Sequence, residues 1–266
     1  MSSSLPLFRR ALADSWRSLI AWSLGVVAAI MLYLPLFPSL GGNPDVQQLL
    51  NSLPPELVNA IGYDQISTGA GYTQSTFYGL IGFVLLTIAA TSWGTAAVAG
   101  DEETGSLELT LAHSVSRTQV ILERTAALFV RLAWLGLLSA LLVLAMNGPA
   151  ELDIEPAHAF AGAAAIVGLT LLSGTVAIAV GALTGRRIYA TGAGAGIAVL
   201  GYALNAVANQ SEDLDTLHDW SPYHWAYGNS PLSNGADPGS LALLYGVSAA
   251  LIVIAVVALN RRDLKA

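Results

Sequence analysis

The sequence predicts an all-α, polytopic membrane protein with six transmembrane helices. Hydrophobic residues fill 54% of the 266 positions and charged residues only 11%, whereas soluble domains carry about 25% charged residues. A bilayer core about 30 Å thick requires roughly 20 residues of apolar helix. The sequence has six such stretches, which we number spans 1 to 6 in chain order. They cover about residues 18–37, 76–99, 125–146, 157–183, 188–208 and 240–259.

Basic residues predict how the spans are oriented. Ten of the eleven basic residues lie in the segments before span 1, between spans 2 and 3, between spans 4 and 5, and after span 6. The eleventh, Arg131, lies just inside span 3. The connections 38–75, 147–156 and 209–239 contain none. Arg131 stands near the start of span 3, where its long side chain is expected to snorkel back to the interface. Because cytoplasmic loops are enriched in Lys and Arg, both termini are predicted to be cytoplasmic.

Residues 1–17, ahead of span 1, predict a short amphipathic helix in the cytoplasmic interface. A frayed N-terminus is the alternative. The remainder, residues 18–266, is predicted to form one six-helix transmembrane domain. Apolar and charged residues alternate in the N-terminal segment, as in helices that lie along a membrane surface: Leu7, Phe8, Leu12 and Trp16 against Arg9, Arg10 and Asp14.

Composition excludes several classes of function. A net charge of −7 leaves no basic excess to neutralise phosphates, so nucleic acid is not an expected partner. The sequence has no cysteine, which removes thiolate metal sites and cysteine nucleophiles. The only lysine, Lys265, cannot belong to a P-loop. His218 and His224 match no standard metal-ligand spacing. We therefore expect no catalytic residue, cofactor or metal site in this chain.

The interiors of the six spans contain no acidic residue. Carriers driven by protons or sodium keep such residues inside the membrane, where they bind the coupling ion. The absence favours a motor outside this chain. An ion-coupled secondary carrier, or a membrane scaffold that works without an ATPase, is the alternative.

Two pairs of glycines predict close helix packing. Gly181 and Gly185 end span 4, and Gly192 and Gly196 lie in span 5. Each pair has the four-residue spacing that lets helix backbones approach closely. The sequence leaves open whether this packing lies within one subunit or across a dimer.

The connection between spans 2 and 3, residues 100–117, predicts a short helix. Leu107, Leu111 and Val115 recur at four-residue spacing and predict an apolar stripe. The acids Asp101–Glu103 are predicted to lie at the positive N-terminus of that helix. Ser116 has capping-box spacing to Gln119, so the helix of span 3 is predicted to begin there. A solvated acidic hairpin is the alternative.

This connection resembles one in the ABC transporter type-2 permeases, whose membrane subunits carry the run G-T-L-E-x-L-L-x-x-P-V-S-R, preceded by a pair of glutamates, after the second span. The sequence has Ser114 where proline is usual and Thr104 where a basic residue is common. The resemblance extends to the six-span layout and to the segment 221–235. The matching residues are Glu102, Glu103, Gly105, Leu107, Glu108, Leu111, Val115, Ser116 and Arg117.

The resemblance implies the permease subunit of an ATP-driven exporter, in the plasma membrane of a prokaryote. Such a subunit pairs with a second copy or a homologous permease. The pair sits on two ATP-binding subunits, which hold the ATP and the magnesium. Residues 100–117 would then hold the coupling helix that docks on those subunits, with Glu102, Glu103, Gly105, Leu107, Glu108, Leu111, Ser116 and Arg117 as coupling residues.

In that family, the path between two permeases is lined largely by the second and fifth spans. The resemblance also implies that residues 209–239 form short external helices, partly re-entrant. Trp220, Tyr223, Trp225 and Tyr227 fit an aromatic belt at the outer interface. The implied path residues, which could equally hold helices together, are Thr87, Thr91, Ser92, Trp93, Tyr202 and Asn205.

Overall fold

The computed structural model describes residues 5–41, 66–112 and 115–262, together with residues 43, 48 and 52. In this part of the chain all regular secondary structure is helical, and six helices are long and apolar enough to cross a membrane. The predicted fold class is therefore confirmed. Ser114, Lys265 and most of the connection 38–75 lie outside the described residues.

Each long helix contains its predicted span. The long helices are α2 (Trp16–Leu40), α3 (Gly69–Glu103), α5 (Arg117–Asn147), α6 (Pro156–Thr184), α7 (Arg187–Ala208) and α10 (Pro238–Arg261). The shorter helices are α1 (Pro6–Asp14), α4 (Ser106–Ala112), α8 (Pro222–Tyr227) and α9 (Pro231–Asn234), with a 3-10 segment at Glu212–Trp220.

Basic and aromatic side chains gather at opposite ends of the bundle. The arginine-rich end comprises α1, α4, the first turns of α2, α5 and α7, and the last turns of α3, α6 and α10. The aromatic end comprises α8, α9, the 3-10 segment and the opposite ends of the long helices. The helices thus run alternately between these two ends.

Helix α6 is the centre of the bundle. It packs against α3, α5, α7 and α10 and is buried along most of its length. Its sequence is rich in alanine and glycine, which let neighbouring backbones come close. It lies close to α3, where a Cβ atom added at Gly94 would overlap the carbonyl oxygen of Gly174.

We expect Gly94→Ala to destabilise the protein by about 1–3 kcal/mol, because the added methyl group forces α3 and α6 apart. Gly246→Ala, within α10, is the matched control, since nothing lies within 4 Å of a Cβ atom at that position. The control should be neutral or slightly stabilising, through the higher helix propensity of alanine. Thermal unfolding of the purified protein in detergent measures both, and equal midpoints would contradict the close α3–α6 contact.

The other predicted packing glycines have different surroundings. A Cβ atom at Gly181 would contact Ala99 and Ala190, so this glycine does bring α6 close to its neighbours. Gly185 instead ends α6 in the left-handed conformation, with φ of 67°. Gly192 and Gly196 lie on α7 with open space around them. Packing of this second pair across a dimer stays a prediction.

Helix α1 is docked on α5. The Oε2 atom of Glu123 accepts the backbone N–H of Phe8 at 2.8 Å, and Gln119 Nε2 donates to Glu123 Oε1 at 2.6 Å. Glu123 is 4% exposed. A carboxylate at a helix N-terminus is favoured by the free N–H groups and by the helix dipole. The N-terminal segment is therefore held in place by the first turns of α5.

The predicted capping box at the start of α5 is half formed. The Ser116 hydroxyl accepts the backbone N–H of Gln119 at 3.1 Å and caps the helix as expected. The Gln119 side chain binds Glu123 instead of returning to the Ser116 backbone. The expectation of a reciprocal box was wrong because the buried carboxylate of Glu123 is the stronger acceptor.

Candidate functional site

The last turn of α3 carries three consecutive acids, called the acidic turn, and each pairs with an arginine from a different part of the chain. Successive helical residues are rotated by about 100°, so three neighbouring side chains point in three directions. One turn of α3 thereby contacts three other helices or their ends. The pairs are Asp101 with Arg124 of α5, Glu102 with Arg262 directly after α10, and Glu103 with Arg187 at the start of α7.

The pairs differ in burial, and therefore in expected strength. Asp101 Oδ2 lies 2.5 Å from Arg124 Nη2, and both side chains are largely covered. The side chains of Glu102 and Arg262 are only 19% and 21% exposed. Glu103 and Arg187 are about half exposed, at 3.6 Å. Solvent screens such an exposed pair to about 0–1 kcal/mol.

The placement of these acids corrects one expectation from the sequence. Asp101–Glu103 were predicted at the positive N-terminus of the short helix, but they end α3, where the helix dipole is negative. Helix α4 begins only at Ser106, after a turn in which Gly105 has φ of 73°. The arginines compensate for the unfavourable end of the dipole.

Helix α4 turns its leucine stripe toward the membrane domain. Leu107 is 0% exposed, and Leu111 and Val115 pack against the same core. The outward face carries Glu108 and Leu109, of which Leu109 is 68% exposed. Within the predicted coupling segment, Leu107 and Leu111 therefore anchor the helix, and Glu108 and Leu109 lie on its exposed face.

Arg117 holds the arginine-rich end of α10. Its Nη1 atom donates to the carbonyl oxygens of Leu259 at 2.8 Å and Arg262 at 2.6 Å. These carbonyls belong to the last turn of α10 or follow it, where cations complement the helix dipole. Arg117, predicted as a coupling residue, thus joins the start of α5 to the end of α10.

The second-span residues implied for a path have unlike surroundings. The hydroxyl oxygens of Thr87 and Thr91 are buried, with no hydrogen-bond partner among the described residues. Ser92 is exposed on the outer face of α3. Trp93 is buried, and its Nε1 donates to Ser18 Oγ of α2 at 3.1 Å. These four residues therefore face in different directions.

The fifth-span residues lie at the aromatic end. Tyr202 packs edge-on against Tyr223 of α8, with ring centroids 5.2 Å apart. Asn205 Oδ1 lies 3.2 Å from His224 Nδ1. Both residues join α7 to the short helices of the aromatic end. The six implied path residues consequently do not form one cluster within this chain.

Tyrosines of α8 bind a distorted stretch of α3. Residues Gln74–Ile81 form a π-helical segment, and such segments often mark functional sites. Tyr223 Oη donates to the carbonyl oxygen of Gly79 at 2.9 Å, and Tyr227 Oη to that of Tyr78 at 2.8 Å. Burial raises the pKa of both Tyr223 and Tyr227, so their hydroxyls remain protonated donors.

Two histidines pack against each other at the aromatic end, next to α7. The rings of His218 and His224 stack with centroids 3.9 Å apart. His218 Nε2 lies 2.8 Å from Asn209 Oδ1, and its Nδ1 2.8 Å from Asp215 Oδ1. Burial, together with the neighbouring His218, lowers the pKa of His224. The pair therefore links the 3-10 segment to α7 through stacking and hydrogen bonds.

The sequence does not identify Glu123, or the arginines that pair with the acidic turn, as site residues. Their partners lie far away along the chain, at separations such as the 160 residues between Glu102 and Arg262. The only signal was the concentration of bases at one side of the spans. That signal indicates an end of the bundle but not individual pairs.

A family model for ABC-2 family transporter proteins matches residues 5–264. The match spans all six long helices, the acidic turn and α4. The chain belongs to the ABC-2 transporter family. This ABC-2 protein is thus a membrane component of a transporter and is not catalytic itself. No curated protein matches the chain closely enough for a comparison.

Proposed function

We propose that this chain is the permease subunit of an ATP-driven exporter in the plasma membrane of a prokaryote. Two such permeases, identical or homologous, form the translocation path, and two separate ATP-binding subunits bind ATP and magnesium. The arginine-rich end faces the cytoplasm in this proposal, and the distribution of basic residues supports that orientation. Membership in the ABC-2 family carries this proposal.

Helix α4 is the element proposed to meet the ATP-binding subunit. It lies between the end of α3 and the start of α5, and the buried side chain of Leu107 anchors it to the bundle. Its outward face presents Glu108 and Leu109. Because the acidic turn directly precedes α4, movement of α4 is passed to α3 and to the helices paired with it.

The exposed faces of α3 and α7 are proposed to meet the second permease. On α3, exposed residues recur every four positions along one side: Leu80, Val84, Ile88, Ser92 and Ala96. On α7, Gly192 and Gly196 leave the backbone open to close approach. The path would then form between the two chains, and Ser92 is the implied path residue already on that surface.

Glu108→Lys tests the proposed docking of α4. We expect at least a tenfold loss of copurifying ATP-binding subunit and of ATPase activity, because a reversed charge at the proposed interface is repelled by the groups that complement the carboxylate. The measurement is affinity purification of the tagged full chain from membranes of its host, followed by an ATPase assay. Asp213→Lys, the same exchange at an exposed acid of the aromatic end, should retain both.

Leu107 is unsuitable for this test because it is fully buried. An aspartate there would bury an unpaired charge and unfold α4. Monodisperse elution of the Glu108→Lys protein shows that the fold survives. Undiminished copurification and ATPase activity of that variant would contradict the docking proposal. Absence of any ATP-binding subunit from the wild-type preparation would contradict the exporter proposal itself.

A further inference from the structure

A cavity of about 560 Å³ lies at the arginine-rich end, among α1, α2, α3, α4 and α5. Cavities of this size hold small organic ligands. The walls combine apolar side chains, hydroxyl groups and charges. The charged lining residues are Arg10, Asp14, Asp101, Arg124 and Arg131.

Arg131 is the unusual member of this lining. Its side chain is 6% exposed, and no acid pairs with it among the described residues. Its Nε donates to the Ala127 carbonyl at 3.0 Å, and its guanidinium carbon lies 4.8 Å from the centre of the Trp93 ring. The expectation that Arg131 snorkels to the interface was therefore wrong. It is held inside the chain by Trp93 and lines the cavity.

A buried arginine without an anion is costly. A guanidinium has five N–H donors, and one of them is used by Ala127. Stacking on Trp93 offsets part of the desolvation cost. A buried charge normally also finds a counter-ion. The cavity is the place from which that counter-ion can reach Arg131.

The other charges of the lining are already neutralised. Asp101 pairs with Arg124, and Arg10 pairs with Asp14 at the exposed rim, at 3.4 Å. The cavity therefore keeps a surplus of one positive charge, at Arg131. That residue lies two helical turns, or about 10 Å, deeper than Arg124, so the binding charge is at the floor of the cavity.

We propose that this cavity binds one anionic phospholipid, whose phosphate group is held by Arg131. Basic pockets between transmembrane helices on the cytoplasmic side suit acidic lipid headgroups, and phosphate accepts several N–H bonds from one guanidinium. The apolar walls accommodate the glycerol and the first acyl carbons. They comprise Leu7, Ala11, Trp93, Ala96, Ala97 and Leu109. The inference goes beyond the exporter proposal and rests on it only for the cytoplasmic orientation of the arginine-rich end.

The lipid would contact α4 directly. Ser106, Leu109 and Thr110 of α4 line the cavity beside Ser15 and Ser18 of the opposite wall. The occupant therefore fills the space between α4 and the first turns of α1 and α2. Binding would hold α4 in the arrangement that the structure shows.

Native mass spectrometry of the purified full chain tests the proposal. We expect one phosphatidylglycerol retained per chain, with at least about a tenfold preference over phosphatidylcholine of the same acyl chains. Arg131→Gln should remove that preference, because the charge-assisted hydrogen bonds to phosphate are lost. Arg17→Gln is the matched control, since Arg17 lies at the same end but does not line the cavity.

Ala11→Leu provides a second variant that keeps Arg131 and fills the cavity from α1. It should reduce phosphatidylglycerol retention even if Arg131→Gln does not fold. Equal retention by wild type, Arg131→Gln and Ala11→Leu would overturn the proposal. So would an Arg131-dependent rise in the unfolding midpoint with inorganic phosphate as large as that with phosphatidylglycerol, which would identify free phosphate as the ligand.

Discussion

The double variant Tyr223→Phe, Tyr227→Phe is expected to lower the thermal unfolding midpoint by roughly 5–15 °C. Each change removes a hydroxyl that donates to a carbonyl of the π-helical segment, at Gly79 and Tyr78. A buried carbonyl left without its donor costs about 1–3 kcal/mol. Thermal unfolding of the purified protein in detergent measures the shift, with the single variants giving intermediate values.

Tyr189→Phe is the matched control, because it removes a tyrosine hydroxyl from an exposed position. Tyr189 is 59% exposed, on α7 at the arginine-rich end. Its variant should unfold at the wild-type temperature. If the double variant also unfolded within a degree of wild type, α8 would not stabilise α3 through these hydrogen bonds.

Breaking the pair between Glu102 and Arg262 is expected to destabilise the protein by about 2–4 kcal/mol. Either Glu102→Gln or Arg262→Gln leaves a largely buried charge without its partner. The double variant should lose much less than the sum of the single losses, because it leaves no unpaired charge. A double-mutant cycle on unfolding free energies should give a coupling of about 1–3 kcal/mol.

The pair of Glu103 with Arg187 gives the matched cycle. Glutamine is again the replacement, but both side chains are about half exposed. Screening by solvent should limit this coupling to about 0.5 kcal/mol. Equal coupling in the two cycles would mean that burial does not set the strength of the pairs in the acidic turn.

The spans and the family motif were predictable because their signals are local. A transmembrane helix needs only a long apolar run, so all six runs appear within the helices observed. The helices extend beyond the runs because their ends are polar, as at Asp101–Glu103 of α3. The same local reasoning identified α4 by its leucine spacing.

The pairing of side chains was not predictable from the same signals. Composition placed Arg131 at the interface, yet Trp93 holds it inside through a contact between two different spans. The leucine spacing placed Leu107 on an apolar face of α4. It could not indicate whether that face contacts the membrane domain or a partner. Such contacts depend on how the helices are arranged around α6, which no single segment encodes.

The acidic turn also determines how force can pass through the molecule. A push on α4 reaches α3 through Gly105 and then, through three separate ion pairs, α5, α7 and the end of α10. No one of these helices can shift alone without breaking a pair. The three pairs therefore favour joint movement of α3, α5, α7 and the end of α10 over the sliding of one helix.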